Sequence, residues 1–358
     1  MKATERLRNI GQSLWLDNIT RDLLTEGTLR RYIDTLSVTG LTSNPSIFDH
    51  AITHSKAYDP EIKRLAAEGK KGEELFFELA LQDLTKAADM FAPVHKQTAT
   101  VDGWVSLEVS PLLAHDTAHT VAQARSLHGK ANRSNLFIKI PGTLEGLPAI
   151  EEAIFHGVPI NVTLLFSRED YVRSADAYMR GLERRVAAGL PPDVRSVASV
   201  FVSRWDKETL KAVPAELRDR IGIAVSQQSY KAYRDLLDSS RWQRLEGLGA
   251  RPQRLLFAST STKDPEASDV LYVGALAAPN TINTMPEETL LAFGDHGAVE
   301  HEMPRDGGDS DQVLVAAARA GVDIGALARK LQNDGANGFV ASWKELIAAL
   351  ETKMGALV

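Results

Sequence analysis

The chain has 358 residues and a mass of 39.1 kDa, enough for two or three ordinary domains or one large α/β barrel. Hydrophobic residues at 44% and charged residues at 25% match a soluble chain able to bury a substantial core, which excludes wholesale disorder. With 41 Lys+Arg against 47 Asp+Glu the net charge is -6 and no basic stretch could neutralise a run of phosphates, so no nucleic-acid partner is expected; the absence of cysteine removes disulfides, thiolate nucleophiles and Cys-ligated zinc and suits a reducing, cytoplasmic setting.

In chain order, Met1 to Asn9 alternates basic and polar residues, and the apolar run Leu14 to Leu16 stops at Asp17, too early for a signal core. No uncharged apolar stretch approaches the ~18 residues of a membrane helix, so no membrane partner is expected. Candidate strands follow at Ser13 to Ile19, Leu41 to Ser43, Trp104 to Val109, Leu136 to Ile140, Ile160 to Phe166, Ser196 to Val202, Arg254 to Ser259 and, less sharply, Ala277 to Thr284. Helix-like segments lie between most of them, and no Gly-rich dinucleotide loop follows the first. The pattern therefore predicts a (β/α)8 TIM barrel of the α/β class rather than a doubly wound sheet.

Pro45 to about Ala92, with Leu75, Phe76, Leu79, Ala80 and Leu84 at helical spacing, predicts helices inserted after the second strand. Tyr230 to Leu248 is predicted helical, with Tyr230, Tyr233, Leu236, Leu237 and Trp242 on an apolar stripe. The strongest break is Pro304 to Ser310 (PRDGGDS), followed by predicted helices at Gln312 to Ala320, Ile324 to Asn333 and Val340 to Lys353. One barrel domain spanning 1–358 is expected, with 304–358 as a helical appendage.

In such a barrel the chemistry lies where strands end. Lys139, inside NLFIKIPGT, stands among Phe137, Ile138, Ile140 and Pro141, so its amine points inward and loses hydration. Desolvation lowers a lysine's pKa and frees an amine that can add to a carbonyl. The alternative is a strand lysine paired with a carboxylate, Glu108 or Asp17. Glu108, inside WVSLEVS, reads equally as a general acid/base or as that partner, and Asp17 shares the ambiguity. Asn44 precedes Pro45, so its plainer role is a turn or helix cap. Asn161 and Thr163 alternate on one strand face, with Val162 and Leu164 on the other, and can both face the interior. An amine, two carboxylates and neutral hydrogen-bonding groups on successive strands form a set suited to aldol chemistry.

LWLDNITRDL, GLTSNPSIF, SLEVSP, NLFIKIPGT, PINVTLLFS and SVFVSR, in this order and spacing, resemble the transaldolase family over nearly the whole barrel. The likeness is to its longer bacterial subgroup, within the class I Schiff-base aldolase superfamily, and DGANGFVASWKELIAAL near the C-terminus is also family-like. The resemblance implies cofactor-free, metal-independent transfer of a dihydroxyacetone unit in the pentose phosphate pathway. Sedoheptulose 7-phosphate would be the donor and glyceraldehyde 3-phosphate the acceptor, giving erythrose 4-phosphate and fructose 6-phosphate. It implies Lys139 as the Schiff-base lysine, Asp17 as the base for the C4 hydroxyl, and Glu108 as acid/base through a water bridged by Thr163. Asn44 and Asn161 would hold donor hydroxyls, with Thr42 on the same turn as Asn44. Ser199 would bind the dihydroxyacetone part, and Phe201 would line the pocket.

For the phosphate, Arg204 matches the family's arginine, whereas FASTSTKDP departs from the commoner pattern: Ser259 is retained and Ser261 stands at an arginine position. Lys263 is expected to supply the missing charge, as a point charge rather than a planar fork. His115 and His119 in HDTAH suggest a zinc pair, but Asp replaces the usual Glu and no third ligand is evident, so a solvated first turn is expected and no metal. The alternatives are a fructose-6-phosphate aldolase-like enzyme, disfavoured by a carboxylate rather than a tyrosine hydroxyl at position 108, and a non-catalytic sugar-phosphate-binding barrel. A functional pairing with a sugar-phosphate isomerase stays open, as does a monomeric or homodimeric state.

Overall fold

The computed structural model describes residues 2–357. Eight strands, β1 (Ser13–Asp17), β2 (Val38–Thr42), β3 (Trp104–Glu108), β4 (Leu136–Pro141), β5 (Ile160–Leu165), β6 (Ser196–Phe201), β7 (Gln253–Ala258) and β8 (Ile282–Met285), pair in parallel and in order, and β8 closes on β1. This is the expected (β/α)8 barrel. The blurred eighth candidate resolves to a short strand because the chain turns at Pro279 and at Asn280, which takes a left-handed φ of 61°. The helices inserted after β2 are Pro45–His54, Asp59–Ala67 and Gly72–Gln97, the last carrying the buried stripe of Leu75, Phe76, Leu79, Ala80 and Leu84.

Strand alternation divides the apolar residues into two populations. Leu14, Leu16, Leu41, Val105, Leu107, Ile138, Ile140 and Val162 pack outward against the surrounding helices. Trp15, Trp104, Phe137, Val197, Leu256 and Ile282 face the barrel interior. There Trp104 stacks on Phe137 at 4.1 Å between ring centroids, and Trp15 lies 6.2 Å from Phe137. This aromatic layer fills the lower barrel. Gly40 of β2 makes room for it, since a Cβ there would stand 2.7 Å from the Trp15 indole and 2.6 Å from the Trp104 carbonyl oxygen.

Two helical predictions are corrected. The Tyr230 to Leu248 segment is two helices, Ile221–Leu237 and Ser240–Gly247, because Ser239 caps the second by accepting from Trp242 N at 3.2 Å. The two helices expected after Ile324 are one, Ile324–Leu357. Gly335 and Gly338 fall in the gap left between the two predicted helices, and Gly335 lies where this helix crosses the barrel mouth: a Cβ there would be 2.9 Å from Leu164 and 3.0 Å from Arg204 Nη1.

Strand β5 also departs from simple alternation. Its register shifts between Val162 and Leu165, and Leu164 has φ 60°. The Leu164 carbonyl accepts from Gln332 Nε2 of the C-terminal helix at 2.9 Å. The strand irregularity and the helix that covers it thus satisfy each other's polar groups.

Candidate active site

The parallel register places Glu108 beside Lys139 and Lys139 beside Asn161, and Asp17 beside Thr42. All five side chains point into the upper barrel, above the aromatic layer. Asp17, Thr42 and Lys139 border a cavity of about 190 Å³ at the C-terminal ends of the strands. Asp17, Thr42, Asn44, Lys139, Thr163, Ser199, Phe201, Arg204, Ser259 and Lys263 line it, as do Ser261, Thr284 and Phe339. Glu108 and Asn161, also predicted, stand behind its wall.

Lys139 is 5% exposed and Glu108 4%. The amine lies 2.9 Å from Glu108 Oε2 and donates to the Ser43 carbonyl oxygen at 3.2 Å. The ion pair that the sequence offered as an alternative is therefore present, at the base of the pocket. Burial pushes the Glu108 carboxyl above its ordinary value against the attraction of Lys139. Glu108 Oε1 and Thr163 Oγ1 are buried, and neither has a hydrogen-bond partner among the described residues.

Asp17 ends β1 with Oδ1 accepting from Thr42 Oγ1 at 2.7 Å, and Thr284 lies 2.7 Å from the same Thr42 hydroxyl. Because the Thr42 proton goes to Asp17, Thr284 is the donor of that second bond. Burial raises the Asp17 carboxyl, while the Thr42 hydrogen bond and the charge of Lys139 hold it down. Asn44 serves as the helix cap expected of it, accepting from Ile47 N at 3.1 Å, and still reaches the pocket. The Asn161 amide donates to Ser106 Oγ at 3.1 Å and accepts from Ser199 Oγ at 2.7 Å, so it fixes Ser199 from below.

The mouth carries the positive charge. Arg204 lies over the Phe201 ring at 5.0 Å and is lowered from its ordinary value by burial, opposed by Asp334 and Glu108. Lys263 stands exposed at the rim and donates to Ser261 Oγ at 2.6 Å; desolvation of its ammonium, then the cations Lys207 and Arg204, lower it. Two like charges lining one pocket form an anion-attracting mouth. Ser259, at φ 56°, meets Ser203 Oγ at 3.0 Å and so ties the β7 loop to the Arg204 helix.

Thr284 and Phe339 escape the sequence reading. Thr284 ends the weakest strand pattern, and Phe339 looks like one more apolar position of a C-terminal helix. Its ring sits 5.3 Å from Lys139 Nζ. His115 and His119 do not share a helix face: Asp116 caps the helix Thr117–Ala131 between them, His115 pairs with Glu145 at 3.0 Å, and exposed His119 bonds Asp116 at 2.7 Å. Among the described residues no helix is long and apolar enough to cross a membrane.

A parallel barrel with a buried amine paired to a buried carboxylate, a second, half-buried carboxylate and a cationic mouth defines an enzyme class that works on anionic carbonyl compounds at the strand ends. The family described as transaldolase/fructose-6-phosphate aldolase matches residues 14–350, and the chain belongs to it. A protein of Arthrobacter sp. (strain FB24) named transaldolase is 44% identical over 97% of this chain and 96% of its own length. A transaldolase of Thermobifida fusca (strain YX) is 43% identical, covering 98% of both chains. Transaldolase 2 of Nostoc sp. (strain PCC 7120 / SAG 25.82 / UTEX 2576) is 37% identical over 97% of this chain and 96% of its own.

Proposed function

We propose that this chain is a cytoplasmic transaldolase that carries a dihydroxyacetone unit from a ketose phosphate to an aldose phosphate on Lys139. The observation that carries the reading is the Lys139–Glu108 pair, buried at 2.9 Å beneath a pocket whose rim holds Arg204 and Lys263. Burial favours the neutral form of Glu108, and moving one proton from the ammonium to it gives a neutral amine and a neutral acid. The amine adds to the donor's ketone; Glu108, through a water held at Thr163, returns the proton as hydroxide leaves and the iminium forms. The two unpartnered atoms, Glu108 Oε1 and Thr163 Oγ1, support that route.

The iminium withdraws electrons from the bond between C3 and C4. Asp17 takes the C4 hydroxyl proton, the bond breaks, and the first aldose leaves with its new carbonyl. The enamine left on Lys139 adds to the acceptor aldehyde, Asp17 returns the proton, and water releases the product. Asn44, Asn161 and Ser199 hold the donor's hydroxyls beside Thr42. Phe201 walls the pocket, and Arg204, Ser259 and Lys263 take the phosphate.

Fructose 6-phosphate with borohydride tests this directly. A mass increase confined to the peptide holding Lys139 is expected, and an adduct on another residue, or activity without any adduct, overturns the mechanism. Product analysis with and without glyceraldehyde 3-phosphate separates transfer from simple cleavage, and acceptor-dependent turnover is expected.

A further inference from the structure

Beneath the aromatic layer, at the opposite end of the barrel, lies a second cavity of about 290 Å³. Its inner wall is Trp104 and Phe137, the stacked pair that separates it from the upper pocket. Arg195, Arg234, Arg251 and Arg254 all line it, against one lining carboxylate, Glu246.

These guanidiniums are poorly compensated. Arg254 is held by neutral acceptors, Ser13 Oγ at 2.7 Å and the carbonyl oxygens of Thr281 at 2.8 Å and Val101 at 3.2 Å. That serine hydroxyl also meets the buried Asp102 carboxylate, which balances part of the Arg254 charge. Arg195 bonds Thr100 Oγ1 and reaches Asp193 at 3.1 Å. Among the described residues neither Arg234 nor Arg251 makes an ion pair or a side-chain hydrogen bond that would offset its charge, and Arg234 Nε is buried without a partner. A buried donor left unpaired carries a desolvation cost that an anion would relieve.

Arg195 is lowered by burial, opposed by Asp193, and lowered further by the charge of Arg251. Burial pushes Tyr233, which also lines the cavity, up to about 12, although the charges of Arg254 and Arg234 hold it down. Four guanidiniums and a single lining carboxylate, Glu246, around one cavity leave an excess of positive charge that matches a ligand with more than one anionic group, and guanidinium forks suit phosphate oxygens.

We propose that this cavity is a second anion-binding site, distinct from the upper pocket, that takes a small organic molecule bearing two phosphate groups. The site is independent of the chemistry assigned to Lys139.

The probe is fructose 1,6-bisphosphate, titrated into the full-length protein by calorimetry and tryptophan fluorescence, with Trp104 as the reporter. An Arg204→Ala/Lys263→Ala variant removes the competing cations of the mouth. In that background one saturable site is expected, weakening as salt is raised. Adding Arg234→Ala/Arg251→Ala should weaken it at least about tenfold, since each charge-assisted bond contributes on the order of one such factor. The floor substitutions alone should leave the KM for fructose 6-phosphate unchanged. Arg251→Glu, at an exposed position, repeats the test should the double variant fold poorly. Absence of saturable binding in the mouth variant, or unaltered affinity after the floor substitutions, overturns the proposal.

Discussion

The Lys139–Glu108 pair gains its Coulomb energy by giving up the hydration of two ions, and such a pair is hard to break from one side. Lys139→Met leaves Glu108 buried without its partner. We expect loss of borohydride trapping and of turnover, with a stability decrease on the order of 3 kcal/mol in urea unfolding. Lys139→Met/Glu108→Gln should recover much of that stability with no activity, the non-additivity that marks a direct coupling. Asp17 makes a different prediction. A carboxyl whose folded-state pKa is raised by burial binds its proton more tightly in the native state, so its contribution falls as pH rises from about 4 through the raised value. Asp17→Asn keeps the Oδ1 acceptor for Thr42 and removes the charge. Its Tm should exceed the wild-type value at pH 8 by more than at pH 4, while the adduct on Lys139 still forms and cleavage slows about 10²- to 10⁴-fold. Equal losses of attachment and cleavage would contradict its role. Both readings of Lys139, amine and ion pair, were legible in the sequence because an apolar strand forces the side chain inward. Pairing with Glu108 rather than Asp17 was not, because it depends on β3–β4 register.

The strands could be read because each is a short β-branched or aromatic run ending in a polar residue, and their order alone predicts a barrel. The C-terminal helix could not be placed that way. Two helices with a gap between them are predicted, where the one helix in fact needs a small residue, Gly335, to cross Leu164 and Arg204, and no local pattern says that Phe339 faces the pocket. The helix is fixed by Gln332 on the Leu164 carbonyl, by Ser342 on Ser46 at 2.9 Å and by Trp343 donating to Glu73 at 2.9 Å. Phe339 therefore stands over Lys139 on a rigid support and keeps water from that side. For Phe339→Ala we expect product release without an acceptor to rise severalfold relative to transfer, with Phe339→Leu between, measured as dihydroxyacetone formed with and without glyceraldehyde 3-phosphate. An unchanged ratio would remove the helix from the partition. The β7 loop gives a parallel test: Lys263→Ala should raise the KM for fructose 6-phosphate and weaken inhibition by inorganic phosphate, leaving kcat nearly unchanged.

The barrel works as two cavities divided by a partition, and the division is set by volume. Small polar side chains such as Ser106, Asn161 and Ser199 occupy the upper interior, so the pocket can exist there, while Trp15, Trp104 and Phe137 fill the interior below. The partition depends on Gly40, whose backbone lies against both indole-bearing strands and has no room for even one methyl group. The Trp104 carbonyl on one side is backbone and cannot yield without disturbing the β2–β3 ladder, so the Trp15 indole would have to move. Its Nε1 donates to buried Asp102 at 2.8 Å, so moving the ring also strains a charge-assisted bond. Gly40→Ala should therefore lower stability by about 1–3 kcal/mol, the usual cost of overpacking, seen as a reduced urea midpoint at unchanged m-value. Because the crowding falls below Lys139, the folded fraction should still trap fructose 6-phosphate at wild-type stoichiometry. A variant with normal stability would show that the aromatic layer packs loosely, and one that folds normally but fails to trap would show that the two ends of the barrel are mechanically linked.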